Sequence, residues 1–156
     1  MKGETAADAI LIIGYGNTLR GDDGAGRHLA EELAERRLPR VRTRSVHQLT
    51  PELAEEVAAC GAVIFIDACL GRSSDVASLR PIAPDTPLAR IDHVMSPQAV
   101  LAYTHAMFGS SPKAWLLTIP GGDFELGESL STAARAATAA ALALIEQFVD
   151  EWFAKQ

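Results

Sequence analysis

The chain has 156 residues, of which 48% are hydrophobic and 22% charged, a composition typical of one globular domain rather than a disordered chain. The formal net charge of −6 argues against a nucleic-acid-binding protein, which normally carries an excess of basic residues. The sequence shows neither a secretory signal nor an apolar stretch of about 18 residues that could span a membrane. We therefore expect a single domain over residues 1–156, located in the cytoplasm, without a nucleic-acid or membrane partner.

The first part of the chain predicts a buried strand followed by a helix. Residues 1–8 are expected to form a loose N-terminal tail. AILIIG (9–14) is a continuous apolar run that suits a strand buried on both faces. A helix is predicted over 24–36, because Leu29 and Leu33 lie four residues apart on one side of it.

The next segments predict an outer strand, a helix and a second buried strand. VRTRSV (41–46) alternates apolar or small residues with arginines, as an outer strand does. Thr50 is predicted to cap a helix that runs to Ala59, since a proline and a glutamate follow it. AVIFIDA (62–68) is the most apolar of the predicted strands.

The region after this strand is less regular. VASLRPI (76–82) and LARID (88–92) are interpreted as two short strands joined by a proline-rich turn. Ser96 is predicted to cap a helix that runs to Phe108. AWLLTIP (114–120) predicts a third buried strand.

The C-terminal part predicts a loop and a long helix. GGDFELGE (121–128) is expected to be a loop, after which Ser131 caps an alanine-rich helix. One face of this helix is expected to pack on the sheet through Leu142, Ile145, Val149 and Trp152. The alternation of strands and helices predicts an α/β three-layer sandwich, in which a twisted and mostly parallel sheet has helices on both faces.

Acidic residues and a histidine follow the predicted strands. Asp22 and Asp23 follow the first strand, and Asp67 ends the most apolar one. His93 follows the segment 88–92. Because functional groups gather at the carboxyl ends of parallel strands, we expect these side chains to face one crevice. Asp22 can alternatively cap the following helix, which leaves Asp23 to face the crevice, and Asp67 is costly to bury unless it is paired or bound.

The glycine-rich loop after the first strand does not match a nucleotide-binding motif. Gly14 and Gly16 begin a G-x-G pattern, but the next glycine, Gly21, is out of register, and no Gly-Lys-Ser/Thr ending follows. The two adjacent aspartates also disfavour a polyphosphate. The loop is better suited to a cation than to a phosphate.

Two histidines are candidates for the crevice. His47 and His93 each follow a predicted strand and precede a predicted helix, and His93 is preferred because Asp67 has the same topology. Two aspartates and a histidine fit a first-row divalent metal with open coordination positions. A hydrolytic triad is disfavoured, because no serine or cysteine lies at a sharp strand-to-helix turn. Cys60 and Cys69 match no zinc or redox spacing and are expected to be reduced thiols.

Sequence motifs along the chain from about residue 9 to residue 149 resemble those of the hydrogenase maturation proteases. These endopeptidases trim the large subunit of nickel–iron hydrogenases. The most similar segments are GYGNTLRGDDGAG (14–26), VIFIDA (63–68) and DHVMSPQAVL (92–101). The segments that are similar to a subset of the family are HQLTPELAEEV (47–57) and DFELGESLS (123–131).

The resemblance implies a function as well as the sandwich fold. It implies that Asp23, Asp67 and His93 bind metal and carry the catalysis. It also implies that the partner is a large-subunit precursor, that the nickel arrives in this substrate, and that the resting protein holds no permanent metal. We assign additional substrate contacts to three residues, His47, Asn17 and Asp22, and we expect a monomer.

The chain departs from the family pattern at three places. Asp23 stands where many members have glutamate, which shortens the reach to a metal. Many members have Glu-Pro where this chain has 119–122, and Pro-Gly where it has 72–74, so details of the substrate groove stay open. Two rival hypotheses are a nucleotide- or small-ligand-binding module built on the glycine loop and a non-catalytic metallochaperone with the same ligands.

Overall fold

The computed structural model describes residues 6–71, 75–85 and 94–156. The strands within these residues are β1 (Ile10–Tyr15), β2 (Val41–Val46), β3 (Ala62–Leu70), β4 (Ser78–Ile82) and β5 (Lys113–Gly121). The α-helices are α1 (Ala25–Arg36), α2 (Ala54–Ala59), α3 (Pro97–Phe108) and α4 (Thr132–Ala154). Short 3-10 helices cover Ala6–Asp8, Gly21–Gly24 and Pro51–Leu53.

The strands form one sheet in the order β2-β1-β3-β5-β4. The pairs β1–β2, β1–β3 and β3–β5 are parallel, whereas β4 pairs with β5 in the antiparallel direction at the edge. The chain passes from β1 to β2 on one side and then returns to β3 on the other. This reversal puts a topological switch point between the carboxyl ends of β1 and β3, which is where open α/β sheets bind ligands.

Helices cover both faces of the sheet, so the predicted α/β three-layer sandwich is confirmed. On one face, α1 and α4 pack against alternate residues of β1, β3 and β5, including Ile12 and Ile64. On the other face, α2 and α3 cover the remaining residues, including Ile13 and Phe65. Burial on both faces explains why the central strands are apolar throughout rather than alternating.

Most of the predicted elements are confirmed, with small shifts at their ends. Ser96 and Ser131 cap α3 and α4 as predicted, because their hydroxyls accept hydrogen bonds from the backbone amides three residues later, both at 3.1 Å. The segment 76–82 contains β4, whereas the strand predicted over 88–92 lies outside the described residues. In the predicted tail, residues 6–8 form a 3-10 helix instead.

The predicted cap at Thr50 is wrong. The Thr50 side chain makes no capping hydrogen bond, although the backbone is extended there and Pro51 begins the helical turn. The Leu53 amide instead donates to the backbone carbonyl of Thr50, at 3.2 Å, within a 3-10 turn that precedes α2. The main chain thus supplies the acceptor that we expected from the hydroxyl.

No helix among the described residues is long and apolar enough to cross a membrane. The predictions of a single domain and of a monomer stay predictions.

Candidate active site at the carboxyl edge of the sheet

The candidate site lies at the switch point between β1 and β3. The loop after β1 and the 3-10 helix Gly21–Gly24 carry Asp23, and β3 carries Asp67 near its carboxyl end. Both side chains are partly exposed, in contrast to the buried apolar residues that precede them in β1 and β3. The charge of Asp23 acts on Asp67, and both charges act on Tyr15, so the two carboxylates lie close to one another at these strand ends, as predicted.

Asp23 is held by the glycine loop. The backbone amide of Asn17 donates to Asp23 Oδ2 at 2.7 Å, so this amide is not available to a phosphate. Gly16 has a φ of +141°, and a Cβ there would collide with the backbone carbonyl of Asp23. Only glycine allows this turn and this close approach, so Gly16 brings the loop back against Asp23.

Asp67 contacts Tyr15, a residue that the sequence reasoning missed. The Tyr15 hydroxyl donates a hydrogen bond to the Asp67 carboxylate. Burial and the nearby charge of Asp67 raise the pKa of Tyr15 well above its ordinary value, so the hydroxyl keeps its proton and acts as a donor. A polar side chain at the last position of β1, on the same sheet face as Ile13, was the available sequence signal.

The environment disfavours a charge on Asp67. Burial raises the pKa of Asp67 most strongly, and the negative charge of Asp23 raises it further, whereas hydrogen bonds from the Tyr15 hydroxyl and the Ala68 amide lower it. The net result is a pKa above the ordinary value of 3.8. Two carboxylates that repel each other in a partly buried crevice are both stabilised when a cation lies between them.

The structure does not bring together a complete ligand set within the part of the chain that it describes. In residues 6–71, 75–85 and 94–156, no group of three histidine, cysteine or acidic side chains could hold a metal ion. The predicted third ligand, His93, lies outside these residues and stays a prediction. Asp23 and Asp67 supply two oxygen donors, which suit a first-row divalent metal that brings further ligands of its own.

Asp22 has a different role from its neighbour, since it is completely buried. Its Oδ2 atom accepts from the amides of Gly122 and Asp123, each at 2.9 Å, and from the Ser131 hydroxyl at 2.7 Å. Its Oδ1 atom accepts from the Ser131 amide at 2.7 Å. Asp22 therefore ties the loop after β1 to the loop before α4. We call this arrangement of Asp22, Gly122, Asp123 and Ser131 the tether.

These contacts change the interpretation of Asp22. The alternative role as a helix cap is wrong, because α1 begins after Gly24 without a side-chain cap. Desolvation alone would raise the pKa of Asp22, but the hydrogen bonds from Ser131, Asp123 and Gly122 outweigh it and hold the pKa below its ordinary value. All four bonds come from within the protein, so the structure gives no support to the predicted substrate contact by Asp22.

Two other predicted substrate contacts, His47 and Asn17, lie close to this edge. His47 is exposed directly after β2, and its backbone carbonyl accepts from the Gly16 amide at 3.2 Å. The Asn17 side-chain carbonyl accepts from the Leu19 amide at 2.9 Å, which closes a local turn. The side-chain NH₂ group of Asn17 has no partner among the described residues. Substrate binding by His47 and Asn17 stays a prediction.

The architecture is shared with solved structures of hydrogenase maturation proteases. Hydrogenase 2 maturation peptidase from Thaumarchaeota archaeon SCGC_AB-539-E09 has a TM-score of 0.69 and 24% identity, covering 92% of this chain and 99% of its own. The maturating endopeptidase HybD from E. coli has a TM-score of 0.69 and 22% identity, covering 92% and 93%. The maturation protease HycI from Thermococcus kodakarensis KOD1 has a TM-score of 0.67 and 24% identity, covering 96% and 95%.

The chain has the fold of the hydrogenase maturation proteases. The fold implied by the sequence resemblance is therefore confirmed. No protein-family model matches the sequence, and no curated protein matches it either. At identities below 25%, the structural likeness establishes the fold and leaves the activity to be argued from the site.

Proposed function

We propose that this protein is a hydrogenase maturation protease. In this proposal it removes the C-terminal extension of a nickel–iron hydrogenase large-subunit precursor, and the nickel in that precursor is the recognition element. The observation that carries the proposal is the pair of carboxylates, Asp23 and Asp67, at the switch point of the shared fold. The sequence motifs that resemble the family fall on the same two residues.

Nickel enters the site as part of the substrate. Thiolate-bound nickel(II) has coordination positions that oxygen and nitrogen donors can fill, and we assign them to Asp23, Asp67 and His93. The raised pKa of Asp67 supports this assignment, because burial and the charge of Asp23 both disfavour the carboxylate there and a bound cation offsets both. Binding through the metal fixes the precursor in one register, so cleavage depends on prior metal insertion.

Hydrolysis breaks one peptide C–N bond. The oxygen of a water molecule joins the carbonyl carbon, and the leaving amine takes a proton. Two routes suit the site: the substrate's nickel polarises the carbonyl or the water, or one of the two carboxylates takes the proton from water as a general base. Tyr15 holds the Asp67 carboxylate in place on either route.

Exposed leucines around the same edge support a protein-sized substrate. Leu70 follows Asp67 in β3 and is 80% exposed, and Leu126 in the loop after β5 is 89% exposed. Leu19, in the loop after β1, is 53% exposed and accepts a hydrogen bond from the Gly127 amide at 2.8 Å, which brings the two loops together. Large apolar side chains that lie exposed on neighbouring loops are typical of protein-binding surfaces.

The test uses the large-subunit precursor of the same organism, prepared with and without nickel. We expect the intact mass to fall by a C-terminal peptide only when the nickel-loaded precursor is mixed with the protein. Asp23→Asn and Asp67→Asn should abolish this change, whereas Asp150→Asn, an exposed aspartate on α4, should not affect it. Processing by both site variants would overturn the assigned roles of the carboxylates.

Two other outcomes would favour the rival hypotheses. If the protein binds nickel alone and tightly but leaves both precursors intact, it is a metallochaperone rather than a protease. If its unfolding temperature rises with a nucleotide but not with nickel, it is a nucleotide-binding module. The hydrogen bond from the Asn17 amide to Asp23 argues against the second outcome, because it places a carboxylate where a phosphate would bind.

A further inference from the structure

Two hydroxyl groups lie beside Asp67 on the same face of the sheet. Asp67 of β3 is paired with Thr118 of β5, and Thr118 is paired with Ser78 of β4. Ser78 Oγ and Thr118 Oγ1 are 2.8 Å apart, so one hydroxyl donates to the other. Ser78 is exposed and Thr118 is partly exposed, so the pair borders the crevice rather than the core.

The pair extends a polar row that crosses the sheet. Tyr15 lies one position beyond the Gly14–Ile66 pair and therefore flanks Asp67 on the side opposite Thr118. The row runs across four neighbouring strands as Tyr15, Asp67, Thr118 and Ser78. Two positions nearer the amino ends of the three parallel strands, the same face is apolar and buried, with Ile13, Phe65 and Leu116. The change from apolar to polar coincides with the opening of the crevice.

The hydroxyl pair has unused hydrogen-bonding capacity. One O–H is used between the two side chains, which leaves a second O–H and several lone pairs. Neither hydroxyl has another partner among the described residues. Each residue of an extended peptide offers one N–H and one C=O, and a hydroxyl can bind either group.

The length of the row suits an extended peptide. Four neighbouring strands span three spacings of about 4.8 Å, or about 14 Å in all, which equals about four residues of extended chain. A peptide that follows the row would pass over Asp67 and then over the hydroxyl pair.

We propose that the Ser78–Thr118 pair binds the main chain of the substrate and holds it along this row beside Asp67. The inference rests on the proposed function and adds a peptide-binding element on the side of Asp67 opposite Tyr15. Hydroxyl groups bind a peptide backbone whatever its side chains are. The pair therefore contributes to affinity without selecting a sequence, while the nickel supplies the selectivity.

The test separates binding from catalysis with matched variants. Thr118→Val and Ser78→Ala each remove a hydroxyl, and we expect each to raise KM for the nickel-loaded precursor about fivefold, the effect of one lost neutral hydrogen bond. The kcat should stay within about twofold of the wild type. Because the two hydroxyls bond to each other, the double variant should raise KM by less than the product of the single effects.

Two further variants serve as controls. Thr118→Ser keeps the hydroxyl and should keep a KM close to that of the wild type. Thr43→Val makes the same change on β2. Thr43 is paired with Ile12, which belongs to the opposite face of the sheet, so this variant should leave both KM and kcat unchanged.

The outcomes separate the inference from the function on which it rests. A double variant with wild-type KM would overturn the inference while the proposed function stands, and the pair would then only stabilise the β4–β5 pairing. A lower kcat at unchanged KM would also overturn it. If the wild type fails to process the nickel-loaded precursor, both the proposed function and the inference are overturned.

Discussion

The tether and the crevice shift the pKa of an aspartate in opposite directions. Asp22 is fully buried and receives four hydrogen bonds, which keep its pKa below the ordinary value. Asp67 in the crevice has two donors, the Tyr15 hydroxyl and the Ala68 amide, and a negative neighbour, Asp23, and its pKa lies above the ordinary value because burial outweighs these hydrogen bonds. A buried carboxylate that accepts enough hydrogen bonds is stable as an anion and serves the structure. A carboxylate with fewer donors is stabilised when it binds a cation.

The largest effect on processing should follow from replacing the charged carboxylates of the crevice with neutral amides. Asp67→Asn and Asp23→Asn are each expected to lower processing of the nickel-loaded precursor by at least about 100-fold. Asp67→Asn should not lower the unfolding temperature, because the charge that it removes weakens the folded state at pH values above 3.8. Mass spectrometry and thermal unfolding test the two parts separately. A destabilised Asp67→Asn protein would contradict the comparison.

The tether should show the reverse behaviour. Asp22→Asn replaces an acceptor of four hydrogen bonds by an amide that points N–H groups at donors, so the free energy of unfolding should fall by about 3 kcal/mol. Urea denaturation measures this change. Ser131→Ala keeps the backbone contact but removes both the hydroxyl bond to Asp22 and the cap of α4, so it should cost about 2 kcal/mol. A loss of stability in Asp22→Asn that is no larger than the loss in Ser131→Ala would contradict the central role of the Asp22 charge.

Acid should remove the contribution of the Asp22 carboxylate to the free energy of unfolding. Because its folded pKa is lower than its ordinary value of 3.8, its contribution is fully present above the unfolded pKa and disappears as pH falls through the folded value. The stability difference between the wild type and Asp22→Asn should therefore narrow below about pH 4. Urea titrations over a pH series measure it. A difference that stays constant into strong acid would contradict the lowered pKa.

A smaller effect is expected from Tyr15. Tyr15→Phe removes the hydroxyl that donates to Asp67 and should lower kcat about fivefold, with little change in KM. Tyr103→Phe is the matched control on α3 and should have wild-type kinetics, since Tyr103 packs against the core on the same face. If both variants behave alike, the contact between Tyr15 and Asp67 does not position the carboxylate.

The smallest effect concerns the thiols. Cys69 is exposed near the crevice, whereas Cys60 is buried and its thiol donates to the Val57 carbonyl at 3.2 Å. Burial raises the pKa of Cys60 to about 11. A thiol reagent should therefore modify one cysteine of the native protein and two of the unfolded protein, as counted by mass. Modification of both cysteines in the native protein would contradict the burial of Cys60.

Much of the fold could be read from the sequence because its signals are local. Continuous apolar runs marked the central strands, and hydroxyl residues before helical patterns marked the starts of α3 and α4. The prediction failed at Thr50, where a backbone carbonyl satisfies the amide, because a side-chain pattern cannot show which of two nearby acceptors is used.

The candidate site could be predicted only in part. Asp23 and Asp67 were identified because parallel strands place their carboxyl ends together. Tyr15 was missed because its contact depends on the lateral pairing of β1 and β3. Asp22 was misread for a similar reason, since its partners lie 100 to 109 residues away in the chain.

The sequence by itself determined the apolar strands, the glycine turn at Gly16 and the positions of two acids at strand ends. These features follow from backbone sterics and burial, which act over a few residues. The tertiary structure decided which acid is structural and which faces the crevice, and it placed the Ser78–Thr118 pair beside Asp67. Those outcomes depend on which distant donors reach each carboxylate, and chain folding alone brings such donors together.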